Sequence, residues 1–502
     1  MRPERFTLNR SVALMGEGQV TQTASRSGRI GRVLGPSLFV AALLVPDSAM
    51  EPAAARVAAV ALWMAVWWVS EAAPLAVTSL LPLVLFPLIG VRGVRDVAPN
   101  YAGQMIFLFL GGFVLALAIE RSQLHRRLAL RTLHALGGSP RRLVWGFLTI
   151  TAVLSMWLSN TATTLMLLPI AVAVSNRIED PRSPTRILLA LAFGASIGGI
   201  GTLVGTPPNL VLAGMAPSLV PGLPTVTFGG WMLLGVPLVL ALLPLAGLFL
   251  SRGLPDLRVS GDELSRELLQ LGRPRPMERR AAILFLLTAT AWITRSGASF
   301  GSIRLPGWSA LVADPKLVSD AVPAIAAAVL TTLIPAGEGQ RRSLLTWDEI
   351  QHGVPWGILL LFGGGFALAD GVHASGLDVW LAAHLQGLGQ YPFPVVVFSV
   401  ALLTAVITNL TSNTATATLL MPVMAALAEA LQASPYMLMA TSTIAASCAF
   451  VLPVATPPNA IVMGSGRVRA GDLFREGLIL NLVAVVVTTL LCLLLGPLVL
   501  PG

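Results

Sequence analysis

Long apolar runs, each closed by a short polar or proline-containing stretch, recur from about residue 34 to the C-terminus. Candidate membrane spans fall near 34–46, 54–70, 73–92, 104–135, 186–215, 228–250, 281–297, 318–335, 356–386, 436–465 and 475–499. Such runs suit helices crossing ~30 Å of hydrocarbon, and the scarcity of alternating ten-residue segments argues against a membrane barrel. The expectation is an all-α polytopic membrane protein.

Two further stretches, 143–176 and 394–431, require a different path. The first is flanked by Arg141-Arg142 on one side and by Arg177, Arg182 and Arg186 on the other. Both ends therefore favour the cytoplasm by the positive-inside rule. A single span cannot place both ends on one side; a re-entrant hairpin can. Its midpoint falls at Ser159-Asn160-Thr161, and arms of about 16 residues would reach ~24 Å at 1.5 Å per residue. The second stretch has no basic residue in its flanks, 387–393 and 432–436, and is expected to enter from the opposite face.

Counting spans from a cytoplasmic N-terminus keeps the Arg341-Arg342 and Arg467/Arg469/Arg475 loops inside. Arg92, Arg95, Arg295, Arg304 and Lys316 fall outside and run against the rule. The organisation is then a disordered cytoplasmic tail (1–33), an N-terminal half (34–250), a cytoplasmic linker (251–280) and a C-terminal half (281–502).

The halves repeat one another. Ser159-Asn160-Thr161-Ala162-Thr163 returns as Ser412-Asn413-Thr414-Ala415-Thr416, and the same offset of 253 carries Gly111-Gly112-Phe113 onto Gly364-Gly365-Phe366 and Ser122 onto Ser375. Thr206-Pro207-Pro208-Asn209 returns as Thr456-Pro457-Pro458-Asn459, 250 positions on. Inverted repeats with broken apolar segments at matching places point to a transporter whose binding site lies where the hairpin tips meet near the midplane.

Composition agrees with a membrane protein: 55% of the residues are hydrophobic, 11% are charged, and the mean hydropathy is +0.78. A net charge of +9 would suggest nucleic acid in a soluble protein, but here the arginines cluster between apolar runs, which reads as topology and lipid contact. Scarce lysine beside abundant arginine suggests a GC-rich bacterial genome, hence an inner-membrane location. Cys448 and Cys492 lie in apolar runs and are expected to be unpaired core thiols.

Each hairpin tip offers hydroxyls, a side-chain amide and the N–H groups that open a helical arm, a set of donors suited to an anion. Each Pro-Pro break frees upstream carbonyls, because proline cannot donate and clashes with the preceding turn. Freed carbonyls beside Ser, Thr and Asn oxygens make a cage for a hard monovalent cation, and sodium is the natural candidate because no carboxylate lies in either signature. No Lys or Arg lies in them either, so a multiply charged anion would need bound cations, and that shared charge would couple the two fluxes. The Gly111-Gly112 and Gly363-Gly364-Gly365 runs read as tight packing or a helix break, and Glu71, Glu120 and Asp370 as interface residues. Five scattered histidines lack metal-ligand spacing.

In these motifs, with Ser70-Glu71-Ala72-Ala73-Pro74 and Leu110-Gly111-Gly112-Phe113, the chain resembles the divalent anion/sodium symporter family of dicarboxylate, citrate and sulfate carriers. The resemblance covers nearly the whole chain from about residue 54. It implies a homodimeric elevator with eleven helices and two re-entrant hairpins per protomer. It also accommodates a first helix at 34–46, where the tail and short apolar run could otherwise mimic a signal peptide.

By the same resemblance, one sodium site would use Ser155 and Asn160 side chains with the carbonyls of Ser159 and Gly205. Its repeat-mate would use Thr408 and Asn413 with carbonyls near Thr411, Ala455 and Pro457. Substrate carboxylates would meet Ser159, Asn160, Thr161, Ser412, Asn413, Thr414 and Thr456. The internal repeat supports the pairing, since Ser155 maps onto Thr408. Asn409 stands where many relatives carry glutamate, and Thr411 where the residue is often small and apolar. The expected function is sodium-coupled uptake of small dicarboxylates such as succinate, malate and fumarate, by a protein that is no enzyme and has no organic cofactor. The alternatives are sulfate or another inorganic anion on the same fold, and sodium-independent dicarboxylate exchange.

Overall fold

The computed structural model describes residues 26–44, 49–136, 138–176, 178–256, 266, 268–300, 303–337 and 342–500. Apart from a short antiparallel pair, Ala298–Phe300 with Ile303–Leu305, and one isolated bridge, its regular structure is helical. Six helical stretches among the described residues are long and apolar enough to cross a membrane, Phe228–Ser251 and Ala470–Val499 being the most apolar.

Residues 26–33, expected within the tail, form the start of a helix that runs from Arg26 to Leu44 and packs on Pro52–Ser70. Arg32 donates to the Ala72 carbonyl at 2.9 Å, which ties the second turn of this helix to the bend after the next one. Residues 1–25 of the expected tail, and 257–265 of the linker, lie outside the described residues.

The expected spans 104–135 and 356–386 are each divided at related positions. Gln104–Ser122 stops at Gln123, which takes a left-handed φ of 63°, before Leu124–Leu136 begins. Trp356–Ala374 stops before Gly376, φ 73°, and Leu377–Leu385 follows. Ser122 and Ser375 donate back to the carbonyls of Ile119 and Val372, so both kinks carry the same local bond. At the second kink apolar character continues and backbone handedness marks the break; at the first, the arginines and histidines of Leu124–Leu136 mark it as well.

Each of the two stretches expected to re-enter is a pair of helices joined by a short break. The first joins Pro140–Ser155 to Asn160–Ser175, and the second joins Phe393–Leu410 to Asn413–Ala430. The two Pro-Pro segments break their helices as expected, giving Ser183–Gly199 followed by Pro207–Leu219, and Pro435–Ser447 followed by Pro457–Gly464. The halves interlock across these breaks. Asn160–Ser175 packs on Pro457–Gly464, and Pro207–Leu219 packs on Asn413–Ala430. Phe193 meets Phe450 edge-on at 5.2 Å between the same two units.

A column of aromatic rings holds the first tip. Trp157 stacks on Phe228 at 5.9 Å, Phe228 stacks on Trp292 at 4.7 Å, and Trp157 meets Phe285 edge-on at 5.1 Å. Elsewhere the glycine runs do close packing: a Cβ on Gly111 would fall 2.4 Å from the Ala324 backbone, and one on Gly364 would fall 2.2 Å from the Ser79 carbonyl. Cys448 and Cys492 are buried and free.

Two of the five charges that run against the arginine rule are neutralised locally. Arg92 pairs with Asp370 at 3.1 Å, and Arg295 with Asp320 at 2.5 Å; Asp320 also accepts from the amide that opens Phe228–Ser251.

The deepest ion pair joins Arg127 to Glu278, 4% and 3% exposed, just ahead of the apolar run from 281. Arg127 also donates to the carbonyls of Gly272 and Leu271 at 2.9 and 3.1 Å, pinning the end of the linker. Burial would raise the Glu278 carboxyl, but hydrogen bonds and charge from Arg127, with bonds from Arg275, hold it below the usual carboxylate range. Its contribution is therefore present at neutral pH and is lost as pH falls from about 4.3 through the depressed folded value. Arg127→Ala should cost about 3 kcal/mol by leaving a buried carboxylate with only the half-exposed Arg275 as partner, whereas the double change Arg127→Met with Glu278→Met should recover most of it. Unfolding in detergent measures both; a mild single variant would remove the pair from the account of stability.

Candidate functional site

Local chemistry builds the two tips in parallel. Ser155, fully buried, donates to Asn160 Oδ1 at 2.5 Å; its repeat-mate Thr408, also fully buried, contacts Asn413 Oδ1 at 2.8 Å. Thr408 also lies 2.7 Å from the Ala446 carbonyl. The carbonyls of Ser159 and Ser412 accept the first helical bonds, from Thr163 and Thr416 at 3.0 and 2.8 Å. The Ser159 hydroxyl caps its helix through the Ala162 amide at 3.2 Å, while Ser412 makes no such bond. Among the described residues nothing accepts from the amides of Asn160 and Thr161, nor from those of Asn413, Thr414 and Ala415. Each tip thus presents a helix N-terminus with N–H groups still to be matched, which is the physical basis of an anion site.

At each break an asparagine collects the freed carbonyls. Asn209 donates to those of Gly199 and Thr202 at 3.1 and 2.7 Å. Asn459 donates to those of Ala449 and Leu452, both at 3.1 Å, the same pair of acceptors displaced by 250. A neighbouring helix supplies one more donor to each break: Trp231 to the Ile200 carbonyl at 2.9 Å, and Asn481, again 250 further on, to that of Cys448. Both asparagines are fully buried, and the Oδ1 atom of each has no hydrogen-bond partner among the described residues.

At the first break these groups enclose a small cradle. A methyl group on Gly199 would lie 2.8 Å from Asn160 Oδ1 and 3.1 Å from the Gly205 carbonyl oxygen. Oxygens converging on a space that only glycine leaves open suit a hard monovalent cation.

Residues 31–500 match the family described as the sodium:sulfate symporter transmembrane region. The chain belongs to the sodium:sulfate symporter family. It is similar to the sodium-dependent dicarboxylate transporter SdcS of Staphylococcus saprophyticus, 38% identical over 486 residues, covering 93% of this chain and 91% of that protein. The protein of the same name from Staphylococcus aureus (strain MRSA252) is 36% identical over 489 residues, covering 94% and 92%. In fold, this family member is similar to the Alcanivorax borkumensis YdaH transporter, with a TM-score of 0.56 at 17% identity, covering 81% of this chain and 89% of that one. Neisseria gonorrhoeae MtrF also gives 0.56, at 13% identity, covering 82% and 85%.

Within this symporter chain, the expected ligands divide into those the contacts bring together and those left apart. Ser155, Asn160 and Gly205 converge with Gly199 at the first cradle, and Thr408 and Asn413 join at the second tip. Thr456 is buried and caps its own helix through the Asn459 amide at 3.4 Å, whereas Pro457 is exposed. Ala455 is buried, its amide bonded to the Leu452 carbonyl just as Gly205 is bonded to Thr202. Thr161 is half-buried and Thr414 buried, each on the first turn of its arm.

The two departures from the family pattern have structural work. Asn409 accepts from the Val451 amide at 2.9 Å and donates to Ala405 at 2.7 Å, tying the second tip to the second break. Thr411 meets Thr416 at 2.6 Å. Its repeat-mate is Leu158, and there the hydroxyl of Thr163, the counterpart of Thr416, has no partner among the described residues.

Sequence reasoning passed over Gly199, Asn209, Asn459 and Gly112. The Asn residues stood inside the Pro-Pro-Asn signature, and Gly199 within Gly198-Gly199-Ile200-Gly201, so both signals were present. Gly112, read as packing, does pack closely, since a Cβ there would fall 3.2 Å from Val204, and it also borders a small pocket beside Ser159 with Phe109, Phe113 and Trp157. Gly199→Ala should weaken apparent sodium affinity roughly tenfold or more, since a fixed methyl cannot share the cradle with its oxygens. The test is sodium-dependent thermal stabilisation of the purified protein; an unchanged titration would exclude Gly199 from the cation site.

Proposed function

We propose that the chain is a secondary active transporter that takes up small dicarboxylates together with sodium. One observation carries the reading: two repeat-related helix N-termini with unmatched amides, each next to a helix break rich in oxygen acceptors. A dianion between the tips takes Ser159, Asn160 and Thr161 on one side and Ser412, Asn413, Thr414 and Thr456 on the other. Sodium takes Ser155, Asn160 and the Ser159 and Gly205 carbonyls in the first repeat. In the second it takes Thr408, Asn413 and carbonyls near Thr411, Ala455 and Pro457. With no Lys or Arg in either signature, the cations supply the charge that makes dianion binding favourable, so the two are carried together. The names of the SdcS relatives support dicarboxylate over sulfate, although the family description names sulfate.

The accompanying architecture is part of the same proposal. Eleven spans and two oppositely inserted hairpins build each protomer of a homodimer, lipid surrounds it in a bacterial inner membrane, and a mobile unit carries the tips across as an elevator. The first hairpin's arms, 16 residues each, are too short to cross ~30 Å at 1.5 Å per residue, which favours re-entry.

Labelled succinate uptake into proteoliposomes tests the function. Concentrative uptake under an inward sodium gradient, absent with potassium, is the expected result, and Asn160→Ala and Asn413→Ala should each abolish it while the protein stays folded. Normal transport by either variant would overturn the ligand assignment. Uptake indifferent to sodium but dependent on internal dicarboxylate would move the protein to exchange.

Topology has its own test. The native thiols are buried, so cysteines placed at Gly138 and Gly387 report alone. Gly138→Cys should react from the inside and Gly387→Cys from the outside; reaction of both from one face would remove the inverted arrangement.

A further inference from the structure

Away from the tips, the segment leading into Ser183–Gly199 and the segment leading into Ala470–Val499 flank an open cavity of about 600 Å³. Five arginines line it: Arg182, Arg186, Arg467, Arg469 and Arg475. Two carboxylates share the wall and are both engaged. Glu476 faces Arg186 at 3.7 Å, and Asp472 accepts from the Arg469 amide at 3.2 Å. Arg186 is further fixed by donating to the Leu250 carbonyl at 3.1 Å. The other four guanidinium groups have no carboxylate partner among the described residues.

The arginine rule accounts for basic residues on this face, which it predicts to be cytoplasmic, but not for their convergence. Arg182 comes from the first repeat, while Arg467, Arg469 and Arg475 come from the second. Thr185 joins the two segments by donating to the Arg467 carbonyl at 3.0 Å. All four are exposed, so water and salt screen much of their mutual repulsion, and what remains favours an anion that joins them. The cavity also borders the N-terminal ends of two long helices, of 17 and 30 residues, whose partial positive charge has the same sign.

We propose that this cavity binds a phosphoryl-bearing anion, free or as a lipid headgroup, which ties the first repeat to the second. Planar guanidinium forks match the oxygens of a phosphoryl group, and several of them suit more than one negative charge. The site is separate from the hairpin tips, which contain no Arg or Lys, and does not depend on what the tips carry.

The test uses the full chain in phosphatidylcholine nanodiscs and sodium-free buffer, with thermal unfolding as the readout. One arm titrates inorganic pyrophosphate; the other replaces part of the lipid with phosphatidylglycerol. A rise in Tm in the first arm assigns a free anion, and a rise confined to the second assigns a headgroup. In either case Arg182→Gln/Arg467→Gln/Arg475→Gln should abolish the rise. Arg141→Gln/Arg142→Gln, exposed arginines outside the cavity, should keep it. No rise in either arm, or an equal rise in both variants, overturns the proposal. If the triple variant does not fold, Arg182→Gln and Arg475→Gln singly decide on the same terms, each expected to weaken apparent affinity about tenfold.

Discussion

At four places the chain stops being helical inside an apolar body, and each peptide group left over there must find a partner. The rest of the architecture follows from how this is met. Asn209 and Asn459 gather the carbonyls that the proline breaks release, and Trp231 and Asn481 reach in from neighbouring helices to take one more each. Thr202 and Asn409 bind the breaks to the tips, through the Met156 carbonyl and the Val451 amide. Tip, break and supporting helix therefore form one hydrogen-bonded unit in each repeat. What stays unmatched is small in number and concentrated: helix-opening amides at the tips and amide oxygens at the breaks. Those groups are the ones the proposed function assigns to an anion and to cations.

The repeats are related but unequal. Gly199 and Gly205, which leave the first cradle open, correspond at the 250 offset to Ala449 and Ala455. Leu158 and the unpartnered Thr163 correspond to the bonded pair Thr411 and Thr416. The Ser159 hydroxyl is held in a cap, while Ser412 is not. The first site is thus roomier around its oxygens and the second is more tightly self-bonded, so the two sites should differ in their hold on a cation.

Around these units the attachments are apolar and ionic in turn. The Trp157–Phe228–Trp292 column fixes the first tip, while Leu410, the repeat-mate of Trp157, is 67% exposed. Arg127 and Glu278 lock the linker end against the Leu124–Leu136 helix, and Arg92 and Arg295 are neutralised by acids, which lowers their weight as topological signals.

Hydropathy, the 253 and 250 offsets and the proline pairs were enough to place both hairpins and both breaks to within a few residues, because apolar length and the missing proline N–H act locally. The duplicated motifs also marked Asn160 and Asn413, while Ser155 and Thr408 came from the family resemblance, which their equivalent positions in the repeat support. The kink at Gly376 was not legible, because a change of backbone handedness leaves hydropathy intact there; the one at Gln123 coincides with a run of arginine and histidine that the span 104–135 took in. The roles of Gly199, Asn209 and Asn459 were hidden for another reason. Whether a carbonyl is bonded, or a glycine borders a cradle, depends on segments brought together only by folding. The same holds for the arginine cavity: charge placed its residues on one face, and the packing of two distant segments turned them towards each other.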